Sequence, residues 1–180
     1  MALRNTEETY GSVAKYFHWL IFLLVAGMIA LGFIMTSLEN SPLKFRLIGI
    51  HKSIGITILA LVLIRLGWKM ANVAPILPES LAALEKFAAH AGHAMLYILI
   101  IVMPLSGWAL SSAAGIPVSV FGWFTLPNLV GHDKALAHQL AELHSVLAWV
   151  IIAAVSLHVC AALLHHFYHK NNVLRRMLPW

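Results

Sequence analysis

The sequence predicts an all-α membrane protein, a single transmembrane four-helix bundle, and three observations carry that prediction. Of 180 residues, 61% are hydrophobic and only 11% charged, where a soluble domain carries about 25% charged residues. Mean hydropathy is +0.83. Four apolar stretches, at roughly 14–36, 49–69, 88–112 and 136–165, reach the ~20 residues that a helix needs to cross a hydrocarbon layer about 30 Å thick. Residues 1–180 therefore make one integral-membrane domain, with no room for a separate soluble module.

The polar run 1–11 carries Asn5-Thr6-Glu7-Glu8, a helix-entry segment. The first apolar stretch is longer than the apolar part of a signal peptide and no small-residue cleavage site follows it, so it reads as a retained helix. Gly27 and Gly32 are its small packing positions. A turn-like link, 37–42, leads to a second helix that opens near His51 and ends around Lys69. Pro75 and Pro78 forbid helix in the linker 72–80. The third helix starts in the His90/His93 region, and Pro104 predicts a kink in its outer half. The longest connection, from 111 to about 135, sets Gly115, Pro117, Gly122 and Pro127 among Phe121, Trp123 and Phe124. Aromatics amid turn residues suit an interfacial cap at the outer surface. The chain has no internal repeat or low-complexity tract.

Charge orients the bundle. Arg4, Lys15, Arg65, Lys69, Lys86, Lys170, Arg175 and Arg176 fall on one side, and Lys44, Arg46, Lys52 and Lys134 on the other. Eight against four places both termini in the cytoplasm. The net charge of +5 follows from basic helix ends facing anionic lipid, so no nucleic-acid partner is expected. All seven carboxylates lie in loops or at helix ends.

The histidines carry the chemistry. His144 and His158 are 14 residues apart on the fourth stretch, which puts both rings on one face, offset by roughly 40° and separated by about 21 Å of rise. By depth, His51 on the second helix matches His144, and His18 on the first matches His158. An imidazole facing hydrocarbon unpaired is costly, so each of these is a functional candidate. A b-type electron carrier needs two neutral imidazoles on opposite faces of its haem. The spacing therefore predicts two bis-histidine haems, one helix giving a ligand to each. The single cysteine, Cys160, excludes an intrachain disulfide and the C-x-x-C-H signature of covalent haem. Any haem is then b-type, and Cys160 reads as a small packing residue.

Arg65 follows His51 by 14 residues and so lies at the inner level, where its guanidinium either pairs with a haem propionate or snorkels to the interface. Lys52 and Arg46 are the equivalent candidates at the outer haem. His165 rivals His158 as the partner of His18, being seven residues on and nearly on the same face. The small neighbours Ala153, Ala154, Ala161 and Ala162 favour His158. His165, His166 and His169 read as a cationic last turn. His90 and His93 read as interface or propionate partners, and His132 and His138 as loop residues of no assigned role. Trp19, Trp68 and Trp149 either line a quinone cleft or anchor the bundle.

Phe17-His18-Trp19, Ile50-His51-Lys52-Ser53-Ile54-Gly55, Leu143-His144, Leu157-His158, Pro117-Val118-Ser119-Val120-Phe121-Gly122-Trp123 and the terminal Leu164-His165-His166-Phe167 and Leu174-Arg175-Arg176-Met177 together resemble the bacterial cytochrome b561 family. The likeness runs from about Tyr10 to Met177. It implies a multi-pass protein of the bacterial inner membrane with two haem b groups, ligated by His18 with His158 and by His51 with His144. It also implies electron exchange with the quinone pool. Some members are similar to superoxide oxidases, which pass an electron from superoxide to ubiquinone. Others resemble the cytochrome b subunits of respiratory dehydrogenases, which need a partner redox subunit. The electron donor, and whether the chain acts alone, as a homo-oligomer or with such a subunit, stay open in the sequence.

The function expected is single-electron transfer across the membrane, from an outer donor through the two haems to a quinone. Bis-histidine ligation leaves no open iron position, which excludes inner-sphere oxygen chemistry. The rim of Lys44, Arg46 and Lys52 suits either a small anionic donor such as superoxide or propionate pairing. A histidine-based divalent-metal transporter is the distant alternative, since such sites recruit carboxylates as well. A scaffold with merely hydrogen-bonded histidines is another.

Overall fold

The computed structural model describes residues 2–79 and 81–178. The first residue of the polar run and Ser80, the end of the predicted 72–80 linker, lie outside the described residues. Four long helices dominate: α1 (Ser12–Ser37), α2 (Pro42–Met70), α3 (Ala83–Ala113) and α4 (Lys134–Phe167). Each is long and apolar enough to cross a membrane. The shortest has 26 residues, about 39 Å at 1.5 Å per residue. The protein is an all-α transmembrane four-helix bundle.

Local chemistry sets the helix ends. Ser41 caps α2 by accepting from Lys44 N (3.3 Å), and Pro42 occupies the first helical position, where a missing N–H costs nothing. The helix therefore begins seven residues before the predicted 49. Lys44 and Arg46 had interrupted the apolar run there, and they ride on the first turns instead. His51 is thus well inside the helix rather than at its opening. Lys44 also donates from Nζ to Leu38 O (2.8 Å), covering a carbonyl at the end of α1. Asp133 caps α4 by accepting from Ala135 N (2.8 Å) and Leu136 N (3.1 Å). At α3, Glu85 accepts from Ala82 N (2.8 Å), and the helix runs on through Pro104.

Sequence neighbours pack side by side: α1 on α2, α2 on α3, α3 on α4. Leu99, Ile151 and Ala154 form a buried cluster at mid-depth, and Val25 and Ile29 of α1 reach across to it. Ile151 lies seven residues from His144 and seven from His158, so this apolar plug separates two compartments.

Each end of the bundle is closed differently. The long connection contains a hairpin absent from the sequence reading, β1 (Ser119–Val120) against β2 (Phe124–Thr125), with Ser119 opposite Thr125 and Val120 opposite Phe124. Its turn has Phe121 at φ 50 and Gly122 at φ 77, with Trp123 N donating to Val120 O (3.0 Å). Two left-handed residues in sequence make the type I′ turn that fits strand twist. Buried Ser53 on α2 clamps the hairpin: its Oγ accepts from Phe121 N (3.0 Å) and lies 3.1 Å from Ser119 O. At the other end three segments knit together. Asn5 donates to Val73 O (2.9 Å), Ile76 N to Glu7 O (2.8 Å), and Trp19 Nε1 to Met177 O (2.9 Å) beside a 3₁₀ turn, Arg175–Met177. A side chain at Gly11 would collide with the backbone of Leu3 and Arg4, so this cap requires glycine there.

Candidate functional site

Each compartment holds one pair of facing imidazoles. His51 (α2) and His144 (α4) have ring centroids 6.3 Å apart with planes at 70°. His18 (α1) and His158 (α4) stand 6.2 Å apart at 63°. The two pairs matched by depth in the sequence are the two pairs that meet, and α4 contributes to both. His165 lies elsewhere: its Nδ1 accepts from Asn171 Nδ2 (3.0 Å) and its ring packs on His169 at 5.1 Å.

Beside the outer pair is a cleft of about 580 Å³, lined almost wholly by apolar groups, with His51, Lys52 and His144 among the few polar ones. That is the size and character of a cofactor pocket. Glycines keep its walls back on three helices: Gly32 on α1, Gly55 on α2 and Gly107 on α3 all line it. A Cβ at Gly107 would come within 3.0 Å of His144 Cε1, so the ring's position depends on that missing side chain. Ser106, the residue before it, places Oγ 2.8 Å from His144 Nδ1. His51 Nδ1 is buried without a partner. Lys52 donates from Nζ to Pro117 O (2.9 Å) and Ser111 Oγ (3.2 Å), tying α2 to α3 and the outer connection. Lys52 therefore has a structural duty at the cleft's rim, with one ammonium proton to spare. Arg46 is exposed.

The inner pair sits among cations. Arg65 Nη2 is 3.1 Å from His18 Nδ1, and the guanidinium lies 5.5 Å from the centre of the Tyr97 ring. Lys69 reaches the same ring at 5.0 Å. The His93 ring is 5.4 Å from that of His158. Lys15, only 8% exposed, lies one turn before His18. Among the described residues no Lys or Arg is within salt-bridge distance of a carboxylate; the one ion pair is His138–Glu142 at 3.6 Å. Positive charge is thus gathered at the inner end with no carboxylate within salt-bridge distance among the described residues, an arrangement that suits an anionic group brought in from outside. Outside the spanning helices, burial pushes the Tyr10 phenol up from its ordinary pKa, against the pull of Arg65.

The remaining histidines and tryptophans have plainer places. His132 Nδ1 donates to Ala113 O (2.9 Å), pinning the outer connection where Gly115 turns at φ 71. Trp19 holds the inner cap, and Trp149 is 61% exposed on the bundle's flank, edge-on to Phe33. The Trp68 indole N–H is buried without an acceptor. Sequence reasoning passed over Ser106 and Gly107, and gave Ser53 and Lys15 no role beside the histidines. The adjacent Ser-Gly pair after Pro104 was the one available hint, two small residues where a partner helix must come close.

Two imidazoles each about 2 Å from a shared metal ion, with ring centres just over 1 Å further back, give a centroid separation of roughly 6 Å. Both pairs have it. Among the described residues no three His, Cys, Asp or Glu side chains converge as a metal cluster. Paired histidines between membrane helices, beside an apolar pocket, are the arrangement expected of a membrane cytochrome of the b type.

Comparison with known proteins gives the family. Residues 9–180 match the sequence profile of the prokaryotic cytochrome b561 family, and this chain belongs to that family. It is 38% identical over 179 residues to cytochrome b561 homolog 2 of Escherichia coli (strain K12), covering 99% of this chain and 95% of that one. It is 32% identical over 177 residues to a Yersinia pestis protein named "Probable superoxide oxidase CybB", covering 96% and 97% respectively. Cytochrome b561 homolog 1 of E. coli (strain K12) is 32% identical over 175 residues. Membership implies haem b as the cofactor, and the glycine-walled cleft beside the His51–His144 pair and the cations at the inner pair fit such a group.

Proposed function

We propose that this protein is a di-haem cytochrome of the bacterial inner membrane, both termini cytoplasmic, that moves single electrons from an outer donor to the quinone pool. The observation that carries the proposal is the pair of equal imidazole separations, 6.3 and 6.2 Å, at two depths of one bundle. His51 and His144 would hold the outer haem, His18 and His158 the inner. When bound there, haem would supply a one-electron iron couple.

The chain's own residues supply the rest. The Leu99–Ile151–Ala154 cluster keeps the two compartments dry and apart. Arg65 at the inner pair, with Lys69 on the same Tyr97 ring, would favour the reduced state of a group held there by simple attraction. Arg65 would also pair with a propionate there, as Lys52 would at the outer site through its remaining proton. Ubiquinone is the acceptor that this family reading favours, and superoxide the donor suggested by the Yersinia relative's name.

A reduced-minus-oxidised spectrum with pyridine haemochrome counting tests the core of the proposal. Two b haems per chain are expected, with His144→Ala and His158→Ala each losing at least the haem at its own level. A purified protein without haem, after haem-replete expression, rejects the electron-transfer reading. The donor is tested in proteoliposomes by supplying enzymatically generated superoxide and following reduction of a short-chain ubiquinone. A rate equal to that of protein-free vesicles rejects superoxide.

A further inference from the structure

The protons around His144 can be placed from heavy atoms. Ser106 Oγ is 2.7 Å from Met103 O and 2.8 Å from His144 Nδ1. A carbonyl only accepts, and a serine has one proton to give. Both contacts are satisfied in one arrangement alone: Ser106 donates to Met103 and accepts from Nδ1–H. His144 is then the tautomer whose Nε2 carries the free lone pair. Burial reinforces the arrangement, because Ser106 is only 6% exposed.

We propose that Ser106 is the positioning residue of the outer site, fixing the tautomer and the ring orientation of His144 and increasing the electron donation of its Nε2. The proposal rests on the haem reading above. Gly107 completes the arrangement, since a Cβ there would press on the same ring from 3.0 Å. One helix turn of α3 thus holds an imidazole of α4 by a hydroxyl at one position and by bare space at the next. Two of the other ligand candidates lack this support. His51 Nδ1 has no partner, and His18 Nδ1 lies 3.1 Å from the Arg65 guanidinium, which only donates, a contact that must be given up for His18 Nε2 to serve as a ligand. An imidazole whose N–H is hydrogen-bonded is a stronger donor to iron and favours the ferric state. Ser106 therefore holds the outer haem at a lower potential than it would otherwise have.

The test is a spectroelectrochemical titration of the intact haem-loaded protein as wild type, Ser106→Ala, Ser106→Cys and Ser106→Thr. Ser106→Ala is expected to raise the midpoint of one haem by up to a tenfold change in its reduction constant, about 59 mV for one electron, and leave the other unmoved. Transfer of that haem to apomyoglobin should quicken about tenfold. Ser106→Thr keeps an oxygen able to bond the preceding turn and should restore both values. Ser106→Cys, a weak acceptor of similar shape, should fall between, and it carries the test if the alanine variant does not accumulate. Unchanged midpoints, equal shifts of both haems, or a shift that threonine does not reverse overturn the proposal. A wild type without haem overturns the underlying reading instead.

Discussion

Arg65 brings a charge into the compartment of His18 and His158, with Tyr97 rather than a carboxylate for company. Its position was legible, because 14 residues after His51 is a fixed place on the same helix face. Its contacts were not, because the aromatic partner comes from another helix. Arg65→Gln is expected to lower the inner haem's midpoint, by on the order of 1 kcal/mol or less after solvent screening, and Arg65→Lys to keep most of it. An unchanged inner midpoint in the glutamine variant would remove Arg65 from control of the potential. Gly107→Ala should act at the other end only: the new methyl displaces the His144 ring by tenths of an ångström, and outer-haem retention falls about tenfold. Counting haem per chain in that variant, with the inner spectrum as internal control, checks it. The four histidines could be read from sequence because they are polar residues in an apolar context. Ser106 could not, because a serine in a membrane helix commonly just bonds the preceding turn, and its second contact exists only once α4 lies across from it.

Helices and hairpin differ in how well they announce themselves. The apolar runs gave four elements to within a few residues, except at the start of α2 and at α3, which begins at Ala83 rather than 88. At α2 the Ser41-Pro42 cap pair was a better guide than hydropathy, since capping acts on the backbone whatever face the next residues show. The hairpin has only two residues per strand, too few for an alternating pattern, so its aromatics were legible as a cap but not as strands. Ser53 is what makes it a defined lid over the outer compartment. Ser53→Ala should leave the bundle intact and cost about 1–2 kcal/mol of local stability at the hairpin. Hydrogen exchange at Phe121 and Trp123 should rise roughly 5- to 30-fold, while amides of α2 stay protected. Equal loosening throughout would mean that the serine supports the helix rather than the lid.

For the molecule as a whole, fold class followed from composition, since a chain so poor in charge can bury its surface only in lipid or against itself. The order of packing and the plug at mid-depth were not legible, because they depend on which small side chains let which helices approach. The shared helix α4 has a consequence in terms of phase. It serves both compartments, so the length of chain between His144 and His158 works as a ruler and an angular index at once. One alanine inserted after Ile151 turns one histidine by about 100° relative to the other, and one haem should be lost while the other stays. Seven inserted residues bring the phase back to within about 20° but add ~10.5 Å of rise. Such a variant restores the angle but not the depth shared with the facing histidine, whose ring stands only 6.2–6.3 Å away in the native pairs, so it should still lack the second haem. Counting haem per chain would read that loss directly. Angle and depth can thus be tested separately with insertions into a single helix.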